Sequence, residues 1–192
     1  MSPERIEGDL TYRNLTEILD AKKHALAEIV RAAASLDAAQ QGFRPAGGGW
    51  SVGDVVAHLA LVESSMIRLI ATLAGKAETA TGPNKPLHSY EVSLEPHLER
   101  SRTEKYRTRD NFVPGENVSV TDSLKVLENV QAELLNLRPR LELVDPTLVR
   151  FPHWIFGPLD LAQWVAFVGI HEERHLGQIQ AIIASEEFNS LP

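Results

Sequence analysis

Apolar residues return every three or four positions along four separate stretches of the chain, and each stretch reads as an amphipathic helix. The first covers about residues 15–39, where Leu15, Ile18, Leu19, Leu26, Ile29, Val30, Ala33 and Leu36 share a face. The run from Gln41 to Gly49 stops it, because successive glycines make helix continuation costly. The second opens on Ser51 as N-cap, with Asp54 three residues later as in a capping box. Val52, Val55, Val56, Leu59, Val62, Met66, Leu69, Ile70 and Leu73 form its stripe, and it is expected to end before Gly75. The third begins at Ser119 or Thr121, presents Leu124, Leu127, Val130, Leu134, Leu135 and Leu141, and is kinked or ended by Pro139. The fourth, capped by Asp160 with Gln163, runs to about Ala184.

The periodicity fails between residues 75 and 118, where Gly82, Pro83, Pro86, Pro96, Pro114 and Gly115 interrupt it. Ser93 to Thr108 is a candidate for a short helix. A connection of that length is functional, an arm for a partner, or the sign of an unread element. Phe151 to Leu159 forms an aromatic loop ahead of the last helix. There is no internal repeat and no alternation of strands with helices. The fold expected is therefore all-α, a single domain over 1–192. It is a four-helix bundle, up-and-down or crossover, with one long connection between helices 2 and 3. Bundle cores commonly hold metal sites between facing helices.

Composition narrows the partners. The chain has 192 residues, 19 Lys plus Arg against 26 Asp plus Glu, and a formal net charge of −7, which disfavours nucleic acid and anionic membranes. Five basic residues between Glu99 and Arg109 are diluted by Glu99, Glu104 and Asp110 and read as a solvated stretch. Cysteine is absent, so disulfides, thiolate ligands and a cysteine nucleophile are excluded, and any thiol in the chemistry must arrive as a substrate. The N-terminus lacks a signal-peptide pattern and no apolar run was expected to span a bilayer, which places the protein in the cytoplasm.

The chemistry concentrates in histidines. His171 and His175 are four apart on the last helix, roughly 40° around the axis and about 6 Å along it, so both rings leave one face a turn apart. His58 lies between Val55 and Val62 on the second helix and also faces inward. A lone inward histidine is usually a hydrogen-bonded core residue. Three of them, two at ligand spacing, point to a metal site with open positions, for which imidazole suits zinc, nickel, iron or copper about equally. The run His171-Glu172-Glu173-Arg174-His175 also fits the H-E-x-x-H of zinc proteases. Those take a third ligand well downstream, and Glu186 and Glu187 are the only carboxylates there, which argues against that class. Glu172 is a candidate base on water, with a surface ion pair as the alternative. His153 is a candidate pocket residue or proton donor, with turn stabilisation as the alternative. Trp50, Trp154 and Trp164 pack the core or wall a pocket, and His24, His88 and His97 are assigned no function.

Gly49-Trp50-Ser51-Val52-Gly53-Asp54-Val55-Val56-Ala57-His58-Leu59, Phe156-Gly157-Pro158-Leu159 and His171-Glu172-Glu173-Arg174-His175-Leu176-Gly177-Gln178-Ile179, in this order, resemble the DinB/YfiT-like superfamily. The resemblance covers most of the chain except residues 75–118. It implies a four-helix bundle, often a homodimer, with a divalent metal, nickel or zinc most often, held by His58, His171 and His175. Characterised relatives include S-transferases and isomerases that use bacillithiol, mycothiol or glutathione. The resulting expectation is an enzyme that conjugates or rearranges a small electrophile with a low-molecular-weight thiol as cosubstrate. Two alternatives stand beside it: a metal-dependent hydrolase with water as nucleophile, and a non-enzymatic stress-associated binding or sensor protein with a structural metal.

Overall fold

In a computed structural model of the chain, residues 11–46, 48–82, 90–94, 107–116 and 118–191 are described. Four long helices dominate: α1 (Leu15–Ala34), α3 (Val52–Thr81), α4 (Val120–Leu141) and α5 (Leu161–Ile183), with short helices α2 (Ala38–Gly42) and α6 (Glu186–Asn189). Each long helix starts where a side chain satisfies its free amides. Asn14, Ser51, Ser119 and Asp160 are the N-caps, and Ser51 with Asp54 and Asp160 with Gln163 form full capping boxes. Ser119 rather than Thr121 begins α4, and Pro139 sits within its last turn, ending at Leu141.

Two boundaries differ from the sequence reading. The first predicted helix breaks at Ser35, and Asp37 starts α2 with its own capping box, so Ala38 and Ala39 belong to a separate element. The helix α3 runs through Gly75 to Thr81, since the apolar stripe continues in Ala74 and Ala77, both fully buried, and one glycine costs only about 1 kcal/mol. This 30-residue helix is long and apolar enough to span a bilayer by length and composition, with a window of mean hydropathy 1.5, contrary to the expectation from the sequence. Of that window 61% is buried, so the bundle core uses its hydrophobicity.

Around the bundle the neighbours run α1, α5, α3, α4 and back to α1. Consecutive helices α1 and α3 are thus diagonal, as are α4 and α5, and the arrangement is the crossover rather than the up-and-down type. Two antiparallel β-ribbons escaped the helical periodicity. Strand β1 (Thr11–Tyr12) pairs with β2 (Val92–Ser93), and β3 (Arg150–His153) pairs with β4 (Gly157–Asp160). The second ribbon replaces the expected aromatic loop, with His153 opposite Gly157 and Gly157 at φ 75, a conformation suited to glycine. The expected helix at 93–108 falls mostly outside the described residues. Its described start is not helical, since Ser93 belongs to β2; Tyr90, Val92 and Leu94 are buried in the core, and the Tyr90 hydroxyl donates to the Leu141 carbonyl at 2.9 Å.

The apolar core is split into two clusters. One holds Leu15–Leu19 of α1, the α3 stripe from Val62 onward and the α5 stripe up to Ile170. The other holds Leu26–Ala33, Val52–Ala60 and Ile179–Ile182. At the level where they meet, Lys22, His58, Glu63, Gln131, Glu172 and His175 are all buried. A belt of polar side chains so deep in a bundle costs desolvation energy, and its members must satisfy one another or a ligand.

Candidate metal centre and adjoining cavity

The capping box at Ser51 fixes where α3 begins, and two turns later His58 points inward at the polar belt. From α5, His171 and His175 reach the same place. Ring centroids lie 5.4 Å apart for His58 and His171, 4.9 Å for His58 and His175, and 4.6 Å for His171 and His175. One nitrogen from each ring falls within 4.8 Å of the other two. Nitrogens around a tetrahedral ion are about 3.4 Å apart, so a modest closing of the rings would seat one.

The hydrogen bonds orient the rings. His58 Nδ1 lies 2.8 Å from the Phe112 carbonyl, which can only accept, so Nδ1 carries the proton and Nε2 keeps its lone pair. His175 Nδ1 lies 2.9 Å from Gln178 Oε1 and is protonated for the same reason. Such outer partners fix tautomer and ring orientation in metal sites. His171 Nδ1 is buried with no hydrogen-bond partner, an orphaned polar atom at the centre of the cluster. Burial holds all three imidazoles neutral: His58 is shifted down, His171 well down with help from the neighbouring His175 and His58, and His175 to about 3. Three neutral nitrogen donors, two of them oriented by outer partners, fit a divalent ion, and they do so without any thiolate or carboxylate in the set.

The triad opens onto a cavity of about 570 Å³ whose walls include Met66, Phe151, His153, Trp154, Phe156, Trp164 and Phe167. Its size suits a small molecule. His153, from β3, stacks on Phe156 at 4.6 Å and meets Phe167 edge-on at 4.9 Å. Its Nδ1 accepts from the amides of Ile155 and Phe156, each at 3.3 Å, so the neutral ring carries its proton on Nε2. Burial, with the Arg109 charge nearby, pushes its pKa down to about 4. His153 is therefore placed to donate a hydrogen bond rather than to take up a proton near neutrality.

Glu172 departs from the expected role of base. It does not line the cavity; its Oε1 accepts from Lys22 Nζ at 2.8 Å, and Lys22 also lies 3.4 Å from Glu63 Oε2. All three side chains are fully buried, so this is a core ion cluster and not the surface pair offered as the alternative. The reason is helical geometry: a residue next to His171 is turned about 100° away from it. Burial raises Glu172 to about 6 against the pull of Lys22, and raises Glu63 well above the carboxylate range with Glu172 adding to the effect.

The sequence reading also missed part of the wall. Arg107, Thr108, Arg109 and Phe112, at the end of the long connection, line the cavity, and Phe112 supplies the carbonyl that holds His58. The only local signal was Phe112 in a polar stretch. Trp50 packs against His58 at 4.7 Å, while Trp154 and Trp164 form cavity walls. His24 is outside the site, and His88 and His97 lie outside the described residues.

Comparison with known proteins agrees with this architecture. The chain is 26% identical over 139 residues to the uncharacterized protein YuaE of Bacillus subtilis (strain 168), covering 72% of this chain and 80% of that one. Its fold matches the four-helix bundle protein TT2238 with a TM-score of 0.58 at 22% identity, over 86% of this chain and 98% of the other. It also matches YfiT from Bacillus subtilis, described as a probable metal-dependent hydrolase with an unusual four-helix bundle topology, with a TM-score of 0.59 at 17% identity over 88% and 85%. The DinB superfamily model matches residues 23–179, a span that contains all three histidines of the triad, and the chain belongs to that superfamily.

Proposed function

We propose that the protein is a divalent-metal-dependent enzyme that transfers a low-molecular-weight thiol to a small electrophile, or rearranges the electrophile through such a thiol. The observation that carries this reading is the absence of a general base at the triad: no Asp or Glu lines the cavity among the described residues, and Glu172 is engaged by Lys22. A divalent ion on three imidazoles supplies Lewis acidity that lowers the pKa of a thiol or water it holds. With no base to help, the nucleophile that ionises most readily is favoured, and a thiol near 8.5 lies far below water. The sulfur forms the new bond to the electrophilic carbon, the leaving group departs with its electron pair, and the thiol proton passes to solvent. The chain's own part is to hold the rings neutral, to wall off water with Phe151, Phe156, Trp164 and Phe167, and to offer His153 Nε2–H to an accepting oxygen of the substrate.

Hydrolysis is the second reading. It is favoured by the description of its structural neighbour YfiT as a probable metal-dependent hydrolase. The test is turnover of the zinc- and nickel-loaded protein on two substrates, a haloarene electrophile with glutathione, bacillithiol or mycothiol, and a chromogenic ester with water alone. Thiol-dependent turnover lost in His171→Ala supports the transferase. Ester cleavage without thiol, lost in the same variant, replaces it with the hydrolase. Metal bound with no turnover on either, and a large loss of stability on chelation, leaves a structural metal.

A further inference from the structure

The cavity beside the triad has a charge opposite to that of the chain. The protein carries a net −7, yet Arg107, Arg109 and Arg174 line the cavity and no carboxylate does so among the described residues. Arg107 faces Asp110 at 3.9 Å, with both side chains almost fully exposed, so it contributes least. Arg109 instead lays its guanidinium over the Trp154 ring at 5.3 Å, on the cavity wall. Arg174, between the ligand pair His171 and His175 on α5, makes no ion pair or side-chain hydrogen bond among the described residues. Both cations act on the site electrostatically, Arg174 on His171 and His175, and Arg109 on His153.

A guanidinium over the face of an aromatic ring keeps its donors available, and their fork matches a carboxylate, sulfonate or phosphate. The remaining walls are rings: Phe151, Phe156, Trp164 and Phe167 lie in sequence around His153, with centroid separations of 4.6–6.3 Å among neighbours. These rings stand tilted or edge-on to one another, and such a wall favours a planar aromatic body in offset or edge-to-face contact. We infer that the electrophile taken by this site is a planar organic acid whose anionic group is received by Arg109 and Arg174 while its apolar body lies against the aromatic wall. This rests on the reading of the cavity as a substrate site, and it adds the class of substrate.

The test is calorimetric binding to the full chain, as purified and after chelation, using naphthalene-2-sulfonate and its neutral, non-ionisable counterpart methyl 2-naphthyl sulfone. The sulfonate is a poor metal ligand, so its affinity reports the arginines. The expected result at low salt is at least a ten-fold preference for the sulfonate, present with and without metal and weakened by added salt. Arg109→Gln and Arg174→Gln each lower sulfonate affinity about three- to ten-fold and leave the sulfone unchanged, and Arg31→Gln, remote on α1, alters neither. Equal binding of both probes, binding of neither, or a sulfonate affinity unmoved in the double arginine variant overturns the inference. S-methylglutathione separates the two sources of an anion. If it binds with the same arginine dependence and the aryl sulfonate shows no preference, the arginines serve the thiol and the planar-acid substrate is overturned. Arginine-dependent sulfonate binding in a protein that takes up no metal would sink the metal-dependent reaction while this inference stands. A metal-loaded protein indifferent to the sulfonate does the reverse.

Discussion

Replacing Lys22 by methionine removes the only ammonium from a fully buried cluster that also holds Glu63 and Glu172. The 2.8 Å contact to Glu172 is worth roughly 6 kcal/mol of Coulomb energy at an effective dielectric of about 20, most of it offset by desolvation of the two ions, and the 3.4 Å contact to Glu63 adds to it only while Glu63, raised well above the carboxylate range, is ionised. The variant loses the attraction but leaves Glu172 buried without its counter-ion beside Glu63. Proton uptake caps the damage: neutralising one carboxylate at pH 7, from an unfolded pKa near 4.3, costs about 3.7 kcal/mol. The expected loss is therefore about 3–4 kcal/mol.

Urea unfolding followed by circular dichroism, with chelator in every sample so that metal adds nothing, measures it. The sign with pH follows from Glu63, whose folded pKa is raised by burial and by Glu172. A carboxyl raised on folding adds stability below its unfolded pKa and loses it as pH rises through the folded value. The Lys22→Met penalty should accordingly be smaller at pH 5 than at pH 7, where neutralisation falls to about 1 kcal/mol per carboxylate at the lower pH. Lys22→Met/Glu63→Leu/Glu172→Leu should recover most of the loss, since a well-packed apolar replacement is neutral or stabilising by about 1–4 kcal/mol. A single variant costing less than about 1 kcal/mol, or a triple variant as unstable as the single, would refute the cluster as an ionised, mutually dependent unit.

Three further predictions follow the same geometry. Gln178→Ala removes the acceptor that orients His175, and metal affinity measured by competition with a chromophoric chelator should fall about 10–100-fold with little change in helix content. An ideal Cβ on Gly169 would come within 3.1 Å of Lys22 Cβ and 3.2 Å of its Cα, so Gly169→Val forces α1 from α5 and should cost at least about 1–3 kcal/mol in the same unfolding assay. Ser51→Ala deletes the side-chain half of the capping box that starts α3 and should cost about 1 kcal/mol; no measurable loss would mean that tertiary packing alone sets that boundary.

The helices were legible because one face of each is buried and the caps are local. Ser51 with Asp54 and Asp160 with Gln163 are two signals that a sequence states outright. The histidine triad was legible for the same reason, as i and i+4 on α5 plus an inward position on α3. What the sequence concealed depends on rotation and on distance. Glu172 shares a motif with His171 and His175 but faces Lys22, 150 positions earlier, and no local pattern announces that partner. The hairpin of β3 and β4 was hidden because Phe151-Pro152-His153-Trp154 shows no alternation of apolar and polar residues. The wall formed by Arg107, Arg109 and Phe112 comes from a connection whose role is fixed only once it folds back over α3.

A charge count over the polar belt joins these pieces. The triad is three neutral imidazoles, so a divalent ion held there would keep both of its charges within its ligand shell. Behind it the Lys22 ammonium is matched by Glu172, while Glu63, raised well above the carboxylate range by burial, adds no further negative charge when protonated. In front of it stand Arg109 and Arg174, which add two positive charges. Both arginines are exposed at the mouth of the cavity, so with a bound ion the sum on the cavity side is positive at the entrance and attracts an anion. A neutral occupant would leave that charge in place, whereas an anion cancels part of it on arrival. One short segment of α5, residues 171–175, thus contributes two ligands, one internal counter-charge and one external cation.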